Sequence, residues 1–301
     1  MKNRYLIWLN WPEPPFRLNK SDLAFFETLV SGDVTVVRSQ NAFLKNLPEA
    51  THVVCWEFKK VWFEKAVRLR VLATPGAGRE LLPIDCEIPK GISKVHGEFH
   101  GAVMSETIIS YMLAWCRGLF VAYDWQKAGG ENNLWRRADF GNFCFTLAGT
   151  KAVVLGYGNI GRTTGVKLEA LGVSVKGIRR KNIGELGDAV KDADWLICVL
   201  PSDTGTDNMV DAGLLRKMKK SAVIINVGRG NAIDEDALAD ALKKKRISAA
   251  FLDVFKTEPL TESSPLAGDL PGLFRFPHGS AFTPDYLKLF FRELSERGYL
   301  R

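Results

Sequence analysis

The strongest constraint on the fold of this chain is a short apolar segment followed by three closely spaced glycines. Residues 152–155 are apolar and rich in β-branched side chains, which is typical of a buried parallel strand. Gly156, Gly158 and Gly161 follow in G-x-G-x-x-G spacing, and apolar residues then recur at roughly helical intervals up to Gly172. A plain glycine-rich turn would show the same three glycines. The order strand, glycine turn, helix instead favours a dinucleotide-binding site, with a diphosphate against the free N–H groups of the helix N-terminus.

Each residue of this loop has a predicted task. We expect Gly156 to allow the tight turn, Gly158 to let backbone approach a pyrophosphate, and Gly161 to let the helix pack on the strand. The residues between and beside them are expected to contact the cofactor too. They are Tyr157, Asn159 and Ile160.

The end of the next predicted strand, residues 173–178, bears on the choice of cofactor. A dinucleotide fingerprint normally ends there with an acidic residue that holds the ribose 2′-hydroxyl. This chain instead has Arg179, Arg180 and Lys181, whose charges suit the 2′-phosphate of NADP. The alternative is a solvated basic turn. We therefore expect NADP(H), with NAD(H) as the second candidate.

The composition is that of an ordinary globular protein long enough for two domains. Of the 301 residues, 46% are hydrophobic and 25% are charged. The net charge is +7, but the longest basic clusters lie at predicted helix ends, where cations complement the helix dipole, so we expect no nucleic-acid partner. Five cysteines without C-x-x-C spacing predict neither a disulfide framework nor a metal site.

No segment of the sequence has the length of a membrane helix. Such a helix needs ~20 consecutive apolar residues. The apolar run near the start, residues 5–9, is also too short for the core of a signal peptide. We therefore expect a cytoplasmic protein with no membrane partner.

The first hundred residues alternate between predicted strands and helices, which favours a separate α/β domain with a parallel sheet. The strands are predicted at 5–9, 34–38, 52–56 and 70–74. The helices are predicted at 21–30, with Ser21 as N-cap, and at 58–69.

A glycine-rich loop, Pro75-Gly76-Ala77-Gly78, follows the last of these strands. Ligands of open α/β sheets bind at this edge. The backbone N–H groups of Ala77 and Gly78 are therefore candidates to hold a substrate carboxylate, and an ordinary turn is the alternative.

The second half of the chain is predicted to complete a six-stranded sheet. Beyond the two strands already described, apolar runs occur at 195–200, 222–227, 249–255 and 273–276. Because the carboxyl ends of parallel strands share one edge of the sheet, we expect the residues that follow each run to converge on the nicotinamide. They are Pro201-Ser202-Asp203, Gly228-Arg229-Gly230, Asp253 and Pro277-His278-Gly279-Ser280.

Two helices are predicted to link the halves. One runs from Met104 to about Lys127 and leads into the second half. The other, residues 285–297, is predicted to return to the first domain.

Together these motifs resemble the D-isomer-specific 2-hydroxyacid dehydrogenases, and most closely their glyoxylate and hydroxypyruvate reductase branch. The resemblance rests on the glycine fingerprint, on NVGRGNAIDEDAL at 226–238, on LDVFKTEPL at 252–260, and on Pro277-His278. It implies an α/β protein with two domains. They are a Rossmann doubly wound cofactor domain at 104–281, and a flavodoxin-like substrate domain at 1–103 to which residues 282–301 return.

The resemblance also assigns roles to single residues. Arg229, Glu258 and His278 occupy the positions of the family's catalytic Arg, Glu and His, and Asp253 that of a nicotinamide-side contact. Arg180 falls where NADP-using members carry an arginine. The remaining expected cofactor contacts are Pro201, Thr206, Val227, Gly228 and Ser280.

The chemistry of these residue types agrees with reduction of a 2-keto acid. Arg229 can grip the carboxylate and the carbonyl in one plane, and His278 can donate a proton to the carbonyl oxygen as hydride arrives from nicotinamide C4. If Glu258 bonds the other ring nitrogen, it fixes the tautomer and raises the pKa of His278. We expect a D-2-hydroxy acid as product, in a cleft between domains that closes to exclude water.

Two alternatives remain open from the sequence. One is an NAD(P)-sensing protein like the transcriptional corepressors that resemble this family, and the other is an NAD-dependent dehydrogenase of a bulkier 2-hydroxy acid. The resemblance further implies a homodimer through the long helix and the Trp135 connector. Phe276 before Pro-His, Gly279-Ser280 after it, and the loop 95–101 all depart from the family pattern, so the identity of the substrate stays open.

Overall fold

The protein was analysed as a computed structural model that describes residues 2–129 and 135–300. The chain divides into two compact units. The first combines Met1–His100 with Ala281–Arg301, and the second is Gly101–Ser280.

A five-stranded, all-parallel sheet forms the centre of the first unit. Its strands are β1 (Asn3–Trp8), β2 (Gly32–Val36), β3 (His52–Cys55), β4 (Val71–Thr74) and β5 (Ser93–His96). Their order, β2-β1-β3-β4-β5, is that of flavodoxin-like folds. The four predicted strands are confirmed, whereas β5 was not predicted because only one of its four residues, Val95, is apolar and buried.

Helices cover both faces of this sheet. They are α1 (Lys20–Leu29), α2 (Gln40–Asn46) and the last helix of the chain, α10 (Tyr286–Glu296). Since side chains alternate along a strand, Tyr5 and Ile7 of β1 pack with α1 and α10, whereas Leu6 packs with Phe43 of α2 on the other face. Helix α10, near the end of the chain, therefore packs on the same sheet face as α1 in the first unit.

Two local predictions in this unit are wrong. Helix α1 is capped by Asn19 rather than Ser21. The Asn19 side chain accepts the Asp22 N–H at 2.9 Å, and the Asp22 carboxylate accepts the Asn19 N–H at 3.2 Å. This reciprocal pair is a capping box, and the apolar periodicity alone did not locate its first member.

The helix predicted at 58–69 is a series of tight turns around the short 3-10 segment Lys60–Glu64. The apolar residues Phe58, Trp62, Ala66 and Leu69 are buried at the spacing of a helix face. The N–H groups of Trp62, Ala66 and Leu69, however, each donate to the carbonyl three residues earlier, as from Leu69 to Ala66 at 3.1 Å. The apolar residues of this segment therefore have the spacing of an α-helix face although the backbone forms tighter turns.

The second unit contains the predicted six-stranded parallel sheet. Its strands are β6 (Lys151–Leu155), β7 (Ser174–Ile178), β8 (Trp195–Cys198), β9 (Val223–Asn226), β10 (Ala249–Leu252) and β11 (Leu273–Arg275). Their order is β11-β10-β9-β8-β6-β7. Strand β7 therefore lies on one side of β6, and β8, the next strand in sequence, lies on the other side. This reversal makes a switch point between β6 and β8, where an open α/β sheet binds its ligand.

Seven helices accompany this sheet within the described residues. They are α3 (His100–Cys116), α4 (Leu119–Ala128), α5 (Arg137–Gly141), α6 (Asn159–Ala170), α7 (Leu186–Ala189), α8 (Ala212–Lys217) and α9 (Glu235–Lys243). The single helix predicted from 104 to 127 is wrong, because the chain breaks it at Gly118. That residue has a φ of +62°, which few residues other than glycine adopt. No helix in the described residues has both the length and the apolar character to cross a membrane.

The capping box of α1 can be tested with a pair of single substitutions. Asn19→Ala removes both the acceptor and the cap, so we expect the free energy of unfolding to fall by ~1 kcal/mol. Ser21→Ala, at an exposed position of the first helical turn, is the matched control and should change it by less than ~0.5 kcal/mol. Urea unfolding followed by circular dichroism measures both. Equal losses in the two variants would contradict the assignment of Asn19 as the cap.

Candidate active site

The three fingerprint glycines meet different surroundings at the carboxyl end of β6. Gly156 has a φ of +97°, and a Cβ placed on it would lie 2.4 Å from the carbonyl oxygen of Val199. A Cβ on Gly161 would lie 2.3 Å from the carbonyl oxygen of Gly156, so both residues must be glycine for the fold itself. A Cβ on Gly158 would meet no protein atom within 4 Å. The space beside Gly158 therefore fits a ligand that approaches the backbone closely.

Tyr157 is held within the unit at every polar group of its backbone. Its N–H donates to the Ile178 carbonyl at 3.1 Å, and its carbonyl accepts Nε of Arg179 at 2.7 Å. Its ring lies against Gly165 and Gly177, where a Cβ would come within 2.5 Å and 2.3 Å of ring or hydroxyl atoms. These two glycines are the sequence signal for this packing, which the sequence analysis missed.

Asn159 and Ile160 form the first turn of α6, directly after Gly158. The N–H groups of a first helical turn have no acceptor within the helix. Asn159 is exposed and Ile160 is half-buried. The helix N-terminus and its dipole thus face the open side of the glycine loop, as an anion site requires.

The two arginines after β7 differ in what they contact. Arg179 is engaged locally, since its Nε bonds the Tyr157 carbonyl and its backbone N–H bonds the Asn182 side chain at 2.7 Å. The Arg180 side chain is 86% exposed and lies 3.4 Å from a carboxylate oxygen of Asp203. Asp203 follows β8, and its position beside Arg180 was not predicted from the sequence. The basic turn therefore has an acidic neighbour from the next loop.

The loop after β8 is organised around a buried threonine. The Thr206 hydroxyl lies 2.9 Å from the Pro201 carbonyl and 2.7 Å from that of Asp203, and it accepts the Asp203 N–H at 3.1 Å. Pro201 is exposed, whereas Thr206 is buried. Thr206 therefore shapes this loop from inside, and Pro201 lies on its surface.

The loop after β9 presents Arg229 from a rigid turn. The Asn226 side chain accepts the Gly228 N–H at 3.1 Å and donates to the Arg229 carbonyl at 3.1 Å. Val227 is buried, and a Cβ on Gly228 would lie 2.6 Å from the Leu200 nitrogen. The Arg229 guanidinium donates to the Gly228 carbonyl at 2.9 Å. Asn226 is the first residue of the motif at 226–238, but only the structure shows that its side chain closes this turn.

Asp253, which follows β10, anchors the loop that carries His278. Its two carboxylate oxygens accept the N–H groups of Gly279 and Ser280, each at 2.8 Å, and the residue is 1% exposed. The Ser280 carbonyl in turn accepts the Thr107 hydroxyl at 2.9 Å. His278 itself has a φ of +52°, which a non-glycine residue adopts only when its surroundings hold it there. The expected contact of Asp253 with a nicotinamide stays a prediction beside this observed role.

Glu258 and His278 form a hydrogen-bonded pair. Oε2 of Glu258 lies 2.7 Å from Nδ1 of His278, and Oε1 accepts the Phe255 N–H at 2.9 Å. The hydrogen bond to Glu258 raises the pKa of His278. Burial opposes this, the charges of Glu258 and Asp253 add to the rise, and that of Arg229 lowers it. The structure thus brings the predicted Glu and His into direct contact, with the imidazole biased towards its charged form.

The pKa of Glu258 moves in the opposite direction. Burial alone would raise it, but the hydrogen bonds from His278 and the Phe255 N–H, with the charges of His278 and Arg229, bring it below its usual value. The carboxyl group is therefore ionised at neutral pH and acts as the partner of the histidine. The half-exposed imidazole, at 49%, keeps access to solvent.

In the first unit, the loop of residues 75–78 follows β4 as predicted. Ala77 is exposed and Gly78 is buried. The Tyr286 hydroxyl lies 3.5 Å from the Pro75 carbonyl and 2.8 Å from Nε2 of His100, which is buried. His100 therefore belongs to a buried hydrogen-bond chain that supports this loop.

Five aromatic residues of the first unit lie together near this loop, and we call them the aromatic cluster. Their rings contact one another with centroids 4.8 to 6.1 Å apart. They are Trp11, Phe16, Trp56, Phe282 and Tyr286. Trp11 and Phe282 remain 40% and 45% exposed. The sequence analysis missed this cluster because its members are scattered along the chain.

No metal centre is visible in the parts of the chain that the structure describes. Within residues 2–129 and 135–300, no group of three or more His, Cys, Asp or Glu side chains is placed to hold a metal ion. The carboxyl edge of the second sheet carries a helix N-terminus, a guanidinium and a hydrogen-bonded carboxylate–imidazole pair.

The chain is similar in sequence to known proteins. Residues 109–280 match the sequence model described as "D-isomer specific 2-hydroxyacid dehydrogenase, NAD binding domain". Glyoxylate/hydroxypyruvate reductase B of Pectobacterium carotovorum subsp. carotovorum (strain PC1) is 32% identical over 233 residues, which cover 74% of this chain and 72% of that protein.

Solved structures with the same architecture cover almost the whole chain. A D-isomer specific 2-hydroxyacid dehydrogenase family protein from Aeromonas salmonicida subsp. salmonicida A449 superposes with a TM-score of 0.76 at 26% identity, covering 100% of this chain and 96% of that one. An NADPH-dependent glyoxylate/hydroxypyruvate reductase from Sinorhizobium meliloti superposes with a TM-score of 0.72 at 23% identity, covering 98% and 93%. The predicted fold class, two parallel-sheet α/β domains with a Rossmann cofactor domain, is confirmed by this likeness.

The two roles of the fingerprint glycines can be separated by substitution. Gly158→Ala adds a methyl group in open space, so we expect an unchanged melting temperature and roughly tenfold or more weaker cofactor binding. Gly161→Ala forces a methyl group against the Gly156 carbonyl and should lower the melting temperature instead. Thermal denaturation without cofactor and titration with NADPH measure the two effects. A destabilised Gly158→Ala variant would show that its surroundings are not open.

The coupling of Glu258 and His278 predicts a pKa change. In Glu258→Gln the carboxylate charge is lost, so we expect the pKa of His278 to fall from its raised value, as followed by NMR titration of the imidazole. Glu262→Gln removes the same charge from an exposed position of the same loop and serves as the control. An unchanged pKa of His278 in Glu258→Gln would contradict the hydrogen bond as its cause.

Proposed function

Because the chain belongs to the D-isomer specific 2-hydroxyacid dehydrogenase family, whose members are NAD(P)-dependent oxidoreductases, we propose that it reduces a small 2-keto acid with NADPH. The proposed substrate is of the glyoxylate or hydroxypyruvate type, and the product is the D-2-hydroxy acid. The observation that carries the proposal is the hydrogen bond of Glu258 with His278, whose loop is anchored by Asp253 at the edge of the sheet that carries the glycine fingerprint. The 32% identity to a glyoxylate/hydroxypyruvate reductase supports the substrate class.

The second unit fits a dinucleotide at the place the family implies. The open space at Gly158 and the first turn of α6 would hold the diphosphate, and Arg180 would hold the 2′-phosphate. The loops that carry Pro201, Thr206, Val227, Gly228, Asp253 and Ser280 would line the rest of the cofactor. When bound, the nicotinamide supplies the hydride.

Arg229 and His278 have different roles towards the substrate, which are carboxylate binding and proton donation. The Arg229 guanidinium binds the substrate carboxylate, and in the first unit the backbone of Ala77 and Gly78 is a further candidate for this. Because Nδ1 of His278 bonds Glu258, Nε2 is the atom that donates the proton to the carbonyl oxygen. The raised pKa favours the protonated form of His278, and solvent restores the proton after turnover.

A dehydrogenase of a bulkier 2-hydroxy acid is the second candidate. The observation that favours it is the aromatic cluster, which offers exposed faces of Trp11 and Phe282 on the first unit. Aromatic faces bind aromatic and branched side chains better than they bind the hydrogen of glyoxylate. The two candidates share hydride transfer with a nicotinamide, and they differ in the substrate side chain and in the cofactor, NADPH for the first and NAD(H) for the second.

We also propose a homodimer through α3, α4 and the segment that contains Trp135. Large apolar side chains stay exposed along these elements of the isolated chain. They are Leu113, Leu119, Tyr123, Trp135, Phe143 and Phe145, with exposures between 40% and 76%. Such a concentration of exposed apolar surface is typical of a protein interface. Sedimentation equilibrium tests the assembly.

The function is tested by the loss of absorbance at the nicotinamide band. Glyoxylate, hydroxypyruvate, pyruvate and phenylpyruvate are each assayed with NADPH and with NADH. Oxidation of NADPH by glyoxylate or hydroxypyruvate supports the proposal, and a clear preference for phenylpyruvate supports the second candidate. Tight cofactor binding without turnover of any of the four would contradict both.

His278→Asn tests the proton donor directly. We expect kcat to fall ~10²-fold or more while the Kd of NADPH changes little, because the amide cannot donate a mobile proton. In the unmodified protein, the rate of reduction should fall as pH rises through the pKa of His278, since only the charged imidazole carries the proton. Steady-state kinetics over a pH series measures both effects. A variant with unchanged kcat would remove His278 from this role.

A further inference from the structure

We infer that Asp203 sets the preference of this chain between NADPH and NADH, by facing the ribose 2′ position together with Arg180. The inference rests on the proposed function and concerns one end of the same cofactor. A dinucleotide fingerprint normally has an acidic residue at the end of the second strand, where it accepts a hydrogen bond from the ribose 2′-hydroxyl. This chain has no acidic residue at the end of β7.

The structure brings a carboxylate to this position from a different loop. Oδ2 of Asp203, in the loop after β8, lies 3.4 Å from a guanidinium nitrogen of Arg180, the residue just past the end of β7. Strands β7 and β8 lie on either side of β6, so both loops leave the carboxyl edge beside the glycine fingerprint. Asp203 thereby supplies the missing acidic group.

The carboxylate is held in one orientation. Oδ1 of Asp203 accepts the Gly205 N–H at 2.8 Å, and the Asp203 N–H donates to the buried Thr206 hydroxyl at 3.1 Å. A Cβ on Gly205 would lie 3.1 Å from Oδ1 and 3.6 Å from the Arg180 guanidinium, so the loop packs closely around the pair. One oxygen is thus used by the loop, and the other is directed to Arg180.

Arg180 and Asp203 can bind the two cofactors in different ways, depending on the substituent at the ribose 2′ position. With a 2′-hydroxyl, Oδ2 can accept its hydrogen bond, as the acidic residue of NAD-binding sites does. With a 2′-phosphate, the guanidinium binds the phosphate oxygens, and the carboxylate repels them. The Arg180 and Asp203 side chains are 86% and 41% exposed, so their ion pair is weak and the arginine can exchange partners.

Arg179 cannot replace Arg180 in this choice without losing its own contacts. Its Nε bonds the Tyr157 carbonyl, and its guanidinium lies over the Tyr157 ring at 5.9 Å. The balance between the two cofactors therefore depends on Arg180 and on the carboxylate beside it. From this arrangement we expect a chain that prefers NADPH and still accepts NADH.

Asp203→Asn is the variant that tests the inference. The amide oxygen can keep the bond from the Gly205 N–H, so the loop retains its shape while the negative charge is lost. We expect the ratio of Kd for NADH to Kd for NADPH to rise on the order of tenfold, with tighter NADPH and weaker NADH. Arg180→Ala should move the same ratio in the opposite direction.

Asp192→Asn is the matched control. It removes the same charge at an exposed residue that lies 3.7 Å from Lys151, at the opposite, amino end of β6. Its ratio of Kd values should equal that of the unmodified protein. All Kd values are measured by calorimetry with each cofactor alone, so the readout does not depend on turnover.

The outcomes separate this inference from the proposed function. If Asp203→Asn leaves the ratio unchanged, or weakens both cofactors equally, the inference is wrong and the reductase proposal is unaffected. If the ratio moves as expected but no 2-keto acid is reduced, the inference stands and the reductase proposal fails. If neither cofactor binds the unmodified protein, both are overturned.

Discussion

The second unit depends on backbone segments that touch where no side chain intervenes. The loops at the carboxyl ends of the sheet contact one another at three glycines: Gly156 against Val199, Gly228 against Leu200, and Gly230 against Phe255. A Cβ at these positions would come within 1.9 to 2.6 Å of backbone atoms. Because the loops lie this close, the polar groups that they carry reach one small region. The arrangement of polar groups at this edge therefore requires glycine, which has no Cβ, at these three positions.

Buried polar side chains then hold each loop in shape. Asn226 closes the turn before Arg229, Thr206 supports the loop after β8, and Asp253 clamps the loop of His278. Glu235 has the same function for the neighbouring segment, since its carboxylate accepts the Lys256 N–H at 2.8 Å. A buried polar group must find partners, and here the partners are loop N–H groups that no ladder satisfies. The loops gain rigidity without regular secondary structure.

Structure was predicted correctly from the sequence where a residue pattern is compatible with a single conformation. Buried parallel strands are continuous apolar runs, so all six strands of the second sheet were predicted. The expected hydrogen bond between Glu258 and His278 is present as well, and their catalytic roles stay predictions. Prediction failed where several conformations suit the same pattern. The turns around Trp62 bury the same side chains as a helix, and the helix break at Gly118 needed the backbone angle. Asp203 was invisible as a partner of Arg180 because the two are distant in sequence and meet only through the order of the strands.

The composition of the first unit from both ends of the chain has a consequence for how the protein is made. Its core requires Phe290, Phe291 and Leu294 of α10 against Phe26, and the Tyr5 hydroxyl donates to the carbonyl of Leu300, 295 residues away. During synthesis, residues 1–100 therefore wait with an apolar sheet face uncovered while the second unit is translated. The second unit is continuous and can fold as soon as it emerges. Residues 1–100 are therefore synthesised before the second unit, and their core is completed after it.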